Sequence, residues 1–282
     1  MKNLILERKE IILSDSQSRM VSSGWSNETL NGTVVEKITY LSDGLKVKGY
    51  IAYPKDQSKK YPCIIWCRGG YKESGAIGEF NAKGIFGSLA ALGFVVFSSQ
   101  YRGNDGGEGK DEFGGNELND ILNLIPLADE IDCADKNKWG IEGWSRGGMM
   151  TYLTLTKTDI FKAGIIIAGI SNLHCENNEN KYSAWVKEAE NIDSNDEIIK
   201  KCKERSAVNF TGKLPASTPL LLIHGTDDES VSPGDSLDIS YKLLERKIPF
   251  RLLMLEGGDH FLRKHRKEVE TARKEWLEKY LK

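Results

Sequence analysis

Short strand-like apolar runs alternate with helix-like stretches from residue 34 onward, and this rhythm constrains the chain more than any other feature. "YPCIIWCRGG", "FVVFSSQYRG", "FKAGIIIAGI", "TPLLLIHG" and "PFRLLMLEGG" each hold a few consecutive apolar residues bounded by glycine or polar residues. Runs of that length suit strands buried on both faces. Between them lie helical stretches at about 78–91, 116–131, 146–157 and 236–247, with a brief strand near 139–142. The final helix carries Val269, Ala272, Trp276 and Tyr280 at spacings of three and four, a stripe expected to pack on the sheet. Strand alternating with helix predicts an α/β architecture, a mostly parallel central sheet with helices on both faces. "VVEKITYLS" and "LKVKGYIAYP", joined by Ser42-Asp43-Gly44, read as an antiparallel pair at its start.

Two segments fall outside the rhythm. Residues 1–33 are polar and read as a mixed helical and irregular arm. Residues 171–218 are too long and too polar for an ordinary connection, and read as a lid-like insertion of two helices over the sheet. Residues 34–282 then form one domain that carries this insertion. The 282-residue chain, 39% hydrophobic with a net charge of −2, is long enough to bury a core without staples. Its charge carries no basic footprint for nucleic acid or an anionic membrane. The charged first 20 residues lack a signal peptide's apolar centre, and no apolar run reaches bilayer length. The five cysteines are odd in number and scattered, and Cys63 and Cys67 are too far apart along a strand to pair. These features predict a cytoplasmic protein with reduced, buried thiols. Nothing in the sequence fixes the oligomeric state.

"GWSRGG" (143–148) places Ser145 between a strand and a helix. Gly-x-Ser-x-Gly alone is a weak pattern, but at the carboxyl end of a parallel strand it fits a nucleophile elbow. A serine nucleophile needs a base and an acid to orient that base. "LLLIHGTDDESV" offers Asp227, Asp228 and Glu229 just after a strand, and "LLMLEGGDH" offers His260 just after another. His265 reads as a solvated helix residue, His224 as a hydrogen-bonded structural one, and His174 as a surface one.

"GWSRGG", "HGTDDESV" and "GGDH", in that order, resemble the catalytic domain of the prolyl oligopeptidase family within the α/β-hydrolase superfamily. "YRGNDGGEG" and "RSAVNF" resemble that family's Tyr-Arg-Gly loop and its approach to the acid-bearing strand. The resemblance spans about residues 34–282 and implies an α/β-hydrolase fold. It also selects Asp228, the fourth residue after His224, with Val231 in step. The chain departs from the family's larger members, since residues 1–33 are too few for a β-propeller. Arg68, in "CRGG", stands where some members carry an oxyanion-binding tyrosine and others histidine.

The implied activity is a serine hydrolase that cleaves short peptides or aminoacyl amides, or alternatively small esters as a carboxylesterase; a non-catalytic scaffold is a third reading. Ser145 attacks, His260 serves as base and Asp228 orients it. Backbone N–H groups of Arg146 and of Gly69 or Gly70 would bind the oxyanion. Arg68, Tyr71, Trp144, Tyr182 and Trp185 are candidates for binding substrate. The chemistry calls for no cofactor or metal. The glycine-rich "NDGGEGKD" fits neither phosphate-loop nor calcium-loop spacing and reads as a plain loop. Arg102 reads as a structural hydrogen bonder rather than a substrate anchor.

Overall fold

The computed structural model describes residues 3–175 and 180–282. One nine-stranded sheet runs through the molecule in the order β1-β2-β3-β5-β4-β6-β7-β8-β9. Its strands are β1 (Ile5–Glu10), β2 (Thr33–Ser42), β3 (Leu45–Pro54), β4 (Tyr61–Cys67), β5 (Val95–Ser99), β6 (Ala134–Trp144), β7 (Phe161–Ile167), β8 (Leu220–Gly225) and β9 (Phe250–Leu255). From β5 through β9 every pairing is parallel; β1, β2 and β3 add an antiparallel flank. All seven residues of β4 are buried, because helices cover both faces of a central parallel strand.

The helices sort by face. On one side, α3 (Glu79–Ala91) and α9 (Arg266–Leu281) bury Phe86, Leu89, Val269, Trp276 and Leu277 against the sheet. On the other lie α5 (Arg146–Leu155) and α8 (Pro233–Glu245), which bury Met149, Met150, Ile239 and Leu243. Two short helices, α1 (Asp15–Gly24) and α2 (Asn27–Asn31), pack near α3. The arm thus differs from the mixed helical and irregular expectation: it also supplies β1, the edge strand. Only Ile5 of β1 is buried, so its sequence lacks the apolar alternation that marks a strand. The helix expected over 116–131 is broken into α4 (Leu118–Leu122) and a 3-10 turn at Ile125–Glu130, where Pro126 removes a helical donor.

The insertion holds α6 (Lys181–Glu190) and α7 (Asn195–Arg205); its residues 176–179 lie outside the described residues. Asn180 caps α6 through its side chain and Ser194 caps α7, as expected of residues that accept from free helical N–H groups. Here the reading of five reduced thiols is corrected. Cys175 and Cys202 form a disulfide, Cα atoms 6.1 Å apart, while Cys63, Cys67 and Cys133 are free and buried. A separation of 27 residues carries no pairing signal; α7 folds back to bring the two thiols together. No helix among the described residues is long and apolar enough to cross a membrane.

Candidate active site

Strand β4 has β5 on one side and β6 on the other, so the connections leaving β4 and β6 depart in opposite directions. Ligand crevices in parallel sheets form at such switch points, beyond the carboxyl ends of the strands. The loop after β4 carries Gly69 and Gly70. The turn after β6 carries Ser145.

Ser145 has φ 60° and ψ −123°, a conformation that non-glycine residues avoid. Strain of this kind costs on the order of 1–3 kcal/mol and persists only where the surroundings impose it. The surroundings are close. A Cβ on Gly143 would lie 2.0 Å from Gly147 O, and one on Gly147 would lie 2.0 Å from Cys67 O. Ser145 N–H donates to Ile167 O at 2.9 Å, and its own carbonyl accepts from Gly148 and Ile170. Its hydroxyl makes no capping bond to α5 and, among the described residues, no hydrogen bond to His260 or to any other group.

His260 Nδ1 lies 2.8 Å from Asp228 Oδ2. The other carboxylate oxygen accepts N–H bonds from Ser230 and Val231 at 2.8 and 2.9 Å. Burial alone would raise the Asp228 pKa, but bonds from His224, His260 and Val231 hold it well below the usual carboxylate range. Asp227 and Glu229 are exposed. The indole N–H of Trp144 donates to the His260 carbonyl at 3.0 Å, tying the histidine loop to the residue before Ser145. Gly69 also abuts the serine: a Cβ there would lie 3.2 Å from Ser145 Cβ.

The substrate-binding candidates separate. Tyr71, Tyr182 and Trp185 meet around Phe113, with ring centroids 5.1–6.3 Å apart. Trp144 packs on the opposite side of the sheet and lines a cavity of about 360 Å³ with Trp25 and Trp66. Arg68 is fully buried, and burial together with the nearby Arg146 cation pushes its pKa down to about 10. Arg102 donates to Asp120 and Asp43, leaving it no role at the serine. His174 pairs with Asp235, and His265 sits at the start of α9 against the Glu256 carbonyl.

His224, expected to be a hydrogen-bonded structural histidine, shares the Asp228 carboxylate, with Nε2 3.1 Å from Oδ2. Two acids escaped the sequence reading: Asp111, at the end of the loop read as plain, and Glu117, in the stretch expected to be helical, are buried and form ion pairs with Arg146 at 2.6 Å. Acids in a glycine-rich loop look solvated until the cation they face is known.

The largely parallel sheet with helices on both faces has the α/β-hydrolase fold. The Pyrococcus horikoshii acylaminoacyl peptidase structure superposes with a TM-score of 0.74 at 24% identity, over 91% of this chain and 43% of that one, a likeness of fold. Residues 81–282 match the prolyl oligopeptidase family of peptidases, and the chain belongs to that family. It is a serine hydrolase of the peptidase kind. It is 28% identical to the uncharacterized peptidase YtmA of Bacillus subtilis over 85% of this chain and 91% of that protein. Human prolyl endopeptidase FAP is 26% identical over 73% of this chain, which spans only 27% of FAP.

Proposed function

We propose that the chain hydrolyses short peptides or aminoacyl amides through an acyl-enzyme on Ser145. The observation that carries this reading is the His260–Asp228 pair at 2.8 Å, joined through Trp144 to the strained turn that presents Ser145. His260 takes the hydroxyl proton as the serine oxygen attacks the carbonyl carbon. Asp228 fixes the ring through Nδ1 and offsets the imidazolium charge. The tetrahedral oxyanion rests on the N–H groups of Arg146 and of Gly69 or Gly70, at the start of α5 where the helix dipole also favours negative charge. His260 returns the proton to the leaving amine, and a water it activates then releases the acyl group.

The aromatic cluster of Tyr71, Phe113, Tyr182 and Trp185 lies beside Arg146, whose guanidinium is 4.9 Å from the Phe113 ring. It supports an apolar side chain on the acyl half of the substrate. Dipeptidyl and acylaminoacyl peptidases among the relatives favour amides over esters. The test is hydrolysis of a peptide-anilide library after labelling with a serine-directed fluorophosphonate. Adduct on Ser145, with loss of turnover in proportion and preference for apolar acyl residues, supports the reading. Turnover that survives full labelling, or adduct on another serine, sinks it.

A further inference from the structure

Three consecutive carbonyls on the loop after β4 are each held by a buried side chain. Tyr101 Oη donates to Arg68 O at 3.1 Å, Arg68 Nη1 to Gly69 O at 3.0 Å, and Arg146 Nη1 to Gly70 O at 2.9 Å. In a trans peptide the C=O and the next N–H point in opposite directions. Holding these carbonyls therefore turns the N–H groups of Gly69, Gly70 and Tyr71 to the other side of the loop. The Tyr71 N–H is taken up by Ser74 Oγ at 3.3 Å. Those of Gly69 and Gly70 meet no acceptor among the described residues, nor does the N–H of Arg146. Gly69 adjoins the nucleophile, since a Cβ there would lie 3.8 Å from Ser145 Oγ.

The clamps are themselves anchored. Arg68 Nε donates to Gln100 O at 2.8 Å, and its guanidinium lies 4.8 Å from the Tyr101 ring centroid. Arg146 makes a two-pronged bond to Asp111 at 2.9 and 2.6 Å and a further one to Glu117 at 2.6 Å. Asp111 in turn accepts from Asn104 Nδ2 and from the N–H groups of Phe113 and Lys72, and Glu117 from Gly114 and Gly115 N–H. Isolated buried cations would be costly; two carboxylates with satisfied lone pairs make the arrangement tolerable.

We propose that Arg68 and Arg146, assisted by Tyr101, are positioning residues that aim the oxyanion donors. The proposal rests on Ser145 being the nucleophile. Neither guanidinium can touch substrate, as Arg68 is 0% and Arg146 1% exposed; both act through the peptide planes of Gly69 and Gly70. Arg146 contributes twice. Its backbone N–H is one donor, and its side chain grips the loop that supplies the other, so one residue sets the spacing across the hole. This explains why arginine follows the nucleophile here and why a tyrosine hydroxyl at position 68 is dispensable: the donors are backbone groups oriented from beneath.

The test compares wild type with Arg68→Lys and Tyr101→Phe on a peptide anilide. It also measures inhibition by the matching peptide aldehyde, whose hemiacetal oxygen occupies the hole, and by the alcohol that lacks that oxyanion. Arg68→Lys should lower kcat by roughly 10- to 100-fold with KM little changed, and Tyr101→Phe by a smaller factor. Aldehyde affinity should fall in step with kcat while alcohol affinity holds. Wild-type kcat in both variants, or a rise in KM alone, overturns the proposal. If Arg68→Lys fails to fold, Tyr101→Phe, which removes one hydroxyl, decides. Fluorophosphonate labelling separates the two layers. Wild type that turns over anilide without adduct on Ser145 overturns the nucleophile assignment and this inference with it. Labelled Ser145 with unimpaired clamp variants overturns the inference alone.

Discussion

His224 and His260 meet on one carboxylate oxygen: Asp228 Oδ2 lies 3.1 Å from His224 Nε2 and 2.8 Å from His260 Nδ1. His224 Nε2 faces a second acceptor, Val231 O at 3.1 Å, so it carries a hydrogen, and Ser236 Oγ is placed to donate to Nδ1 at 2.7 Å. The buried histidine thus holds the acid from behind. A hydrogen bond to a charged group contributes about 1.5–3 kcal/mol. His224→Gln should accordingly lower kcat by roughly ten- to a hundredfold, with KM little changed. Steady-state kinetics on folded variant would check this, and a kcat within twofold of wild type would show that Asp228 needs no such support.

Asp228 also links the site to acid stability. Its folded pKa is depressed below the ordinary value of about 4, so the unfolded chain binds the proton first as pH falls. The contribution is complete above the unfolded value and drains as pH drops through the folded one. Urea unfolding of wild type should therefore lose stability between about pH 5 and pH 2 along a slope that Asp228→Asn lacks. Parallel curves for the two proteins would contradict this.

The parallel sheet and the strand-to-helix turn at Ser145 were legible because apolar runs and glycine spacing are local signals, whereas Asp228 was singled out from its acidic neighbours only by the family resemblance. The grouping of residues around them was not legible. Tyr182 and Trp185 come from the insertion and join Tyr71 and Phe113 only after α6 folds over them, whereas Trp144, one residue from the nucleophile, faces the other side of the sheet. β1 was missed because an edge strand with a single buried residue has no alternation to read. The burial of the Arg146 side chain has no local signal, since only the fold supplies the two acids that pair with it.

The glycines of the serine turn should be far less replaceable than others. Gly147→Ala places a methyl 2.0 Å from Cys67 O, backbone that cannot swing aside, and should destabilise by at least about 2 kcal/mol while abolishing activity. Gly24→Ala meets nothing within 4 Å and should change stability by less than about 1 kcal/mol in either direction. Chemical denaturation of both variants gives the comparison; similar losses would mean the turn is looser than described.

The Cys175–Cys202 bond pins the start of the insertion to α7. Closing a loop with a sequence separation of 27 restricts the unfolded chain by roughly 3–4 kcal/mol on the chain-entropy estimate. Oxidised protein should therefore melt higher than reduced protein, and Cys175→Ser should remove the difference. Mass spectrometry after alkylation would identify the pair, with Cys63, Cys67 and Cys133 modified only on unfolding. Equal melting of both forms would remove the bond from the account of stability.

The central claim is tested most directly by one pair of substrates with the same acyl group, an aminoacyl anilide and the corresponding ester, run with wild type and Ser145→Ala. The account predicts anilide hydrolysis by wild type and a loss of at least about a thousandfold in the variant on both substrates. Anilide turnover that persists in Ser145→Ala would contradict Ser145 as nucleophile, and wild type that cleaves the ester alone would contradict the assignment as a peptidase.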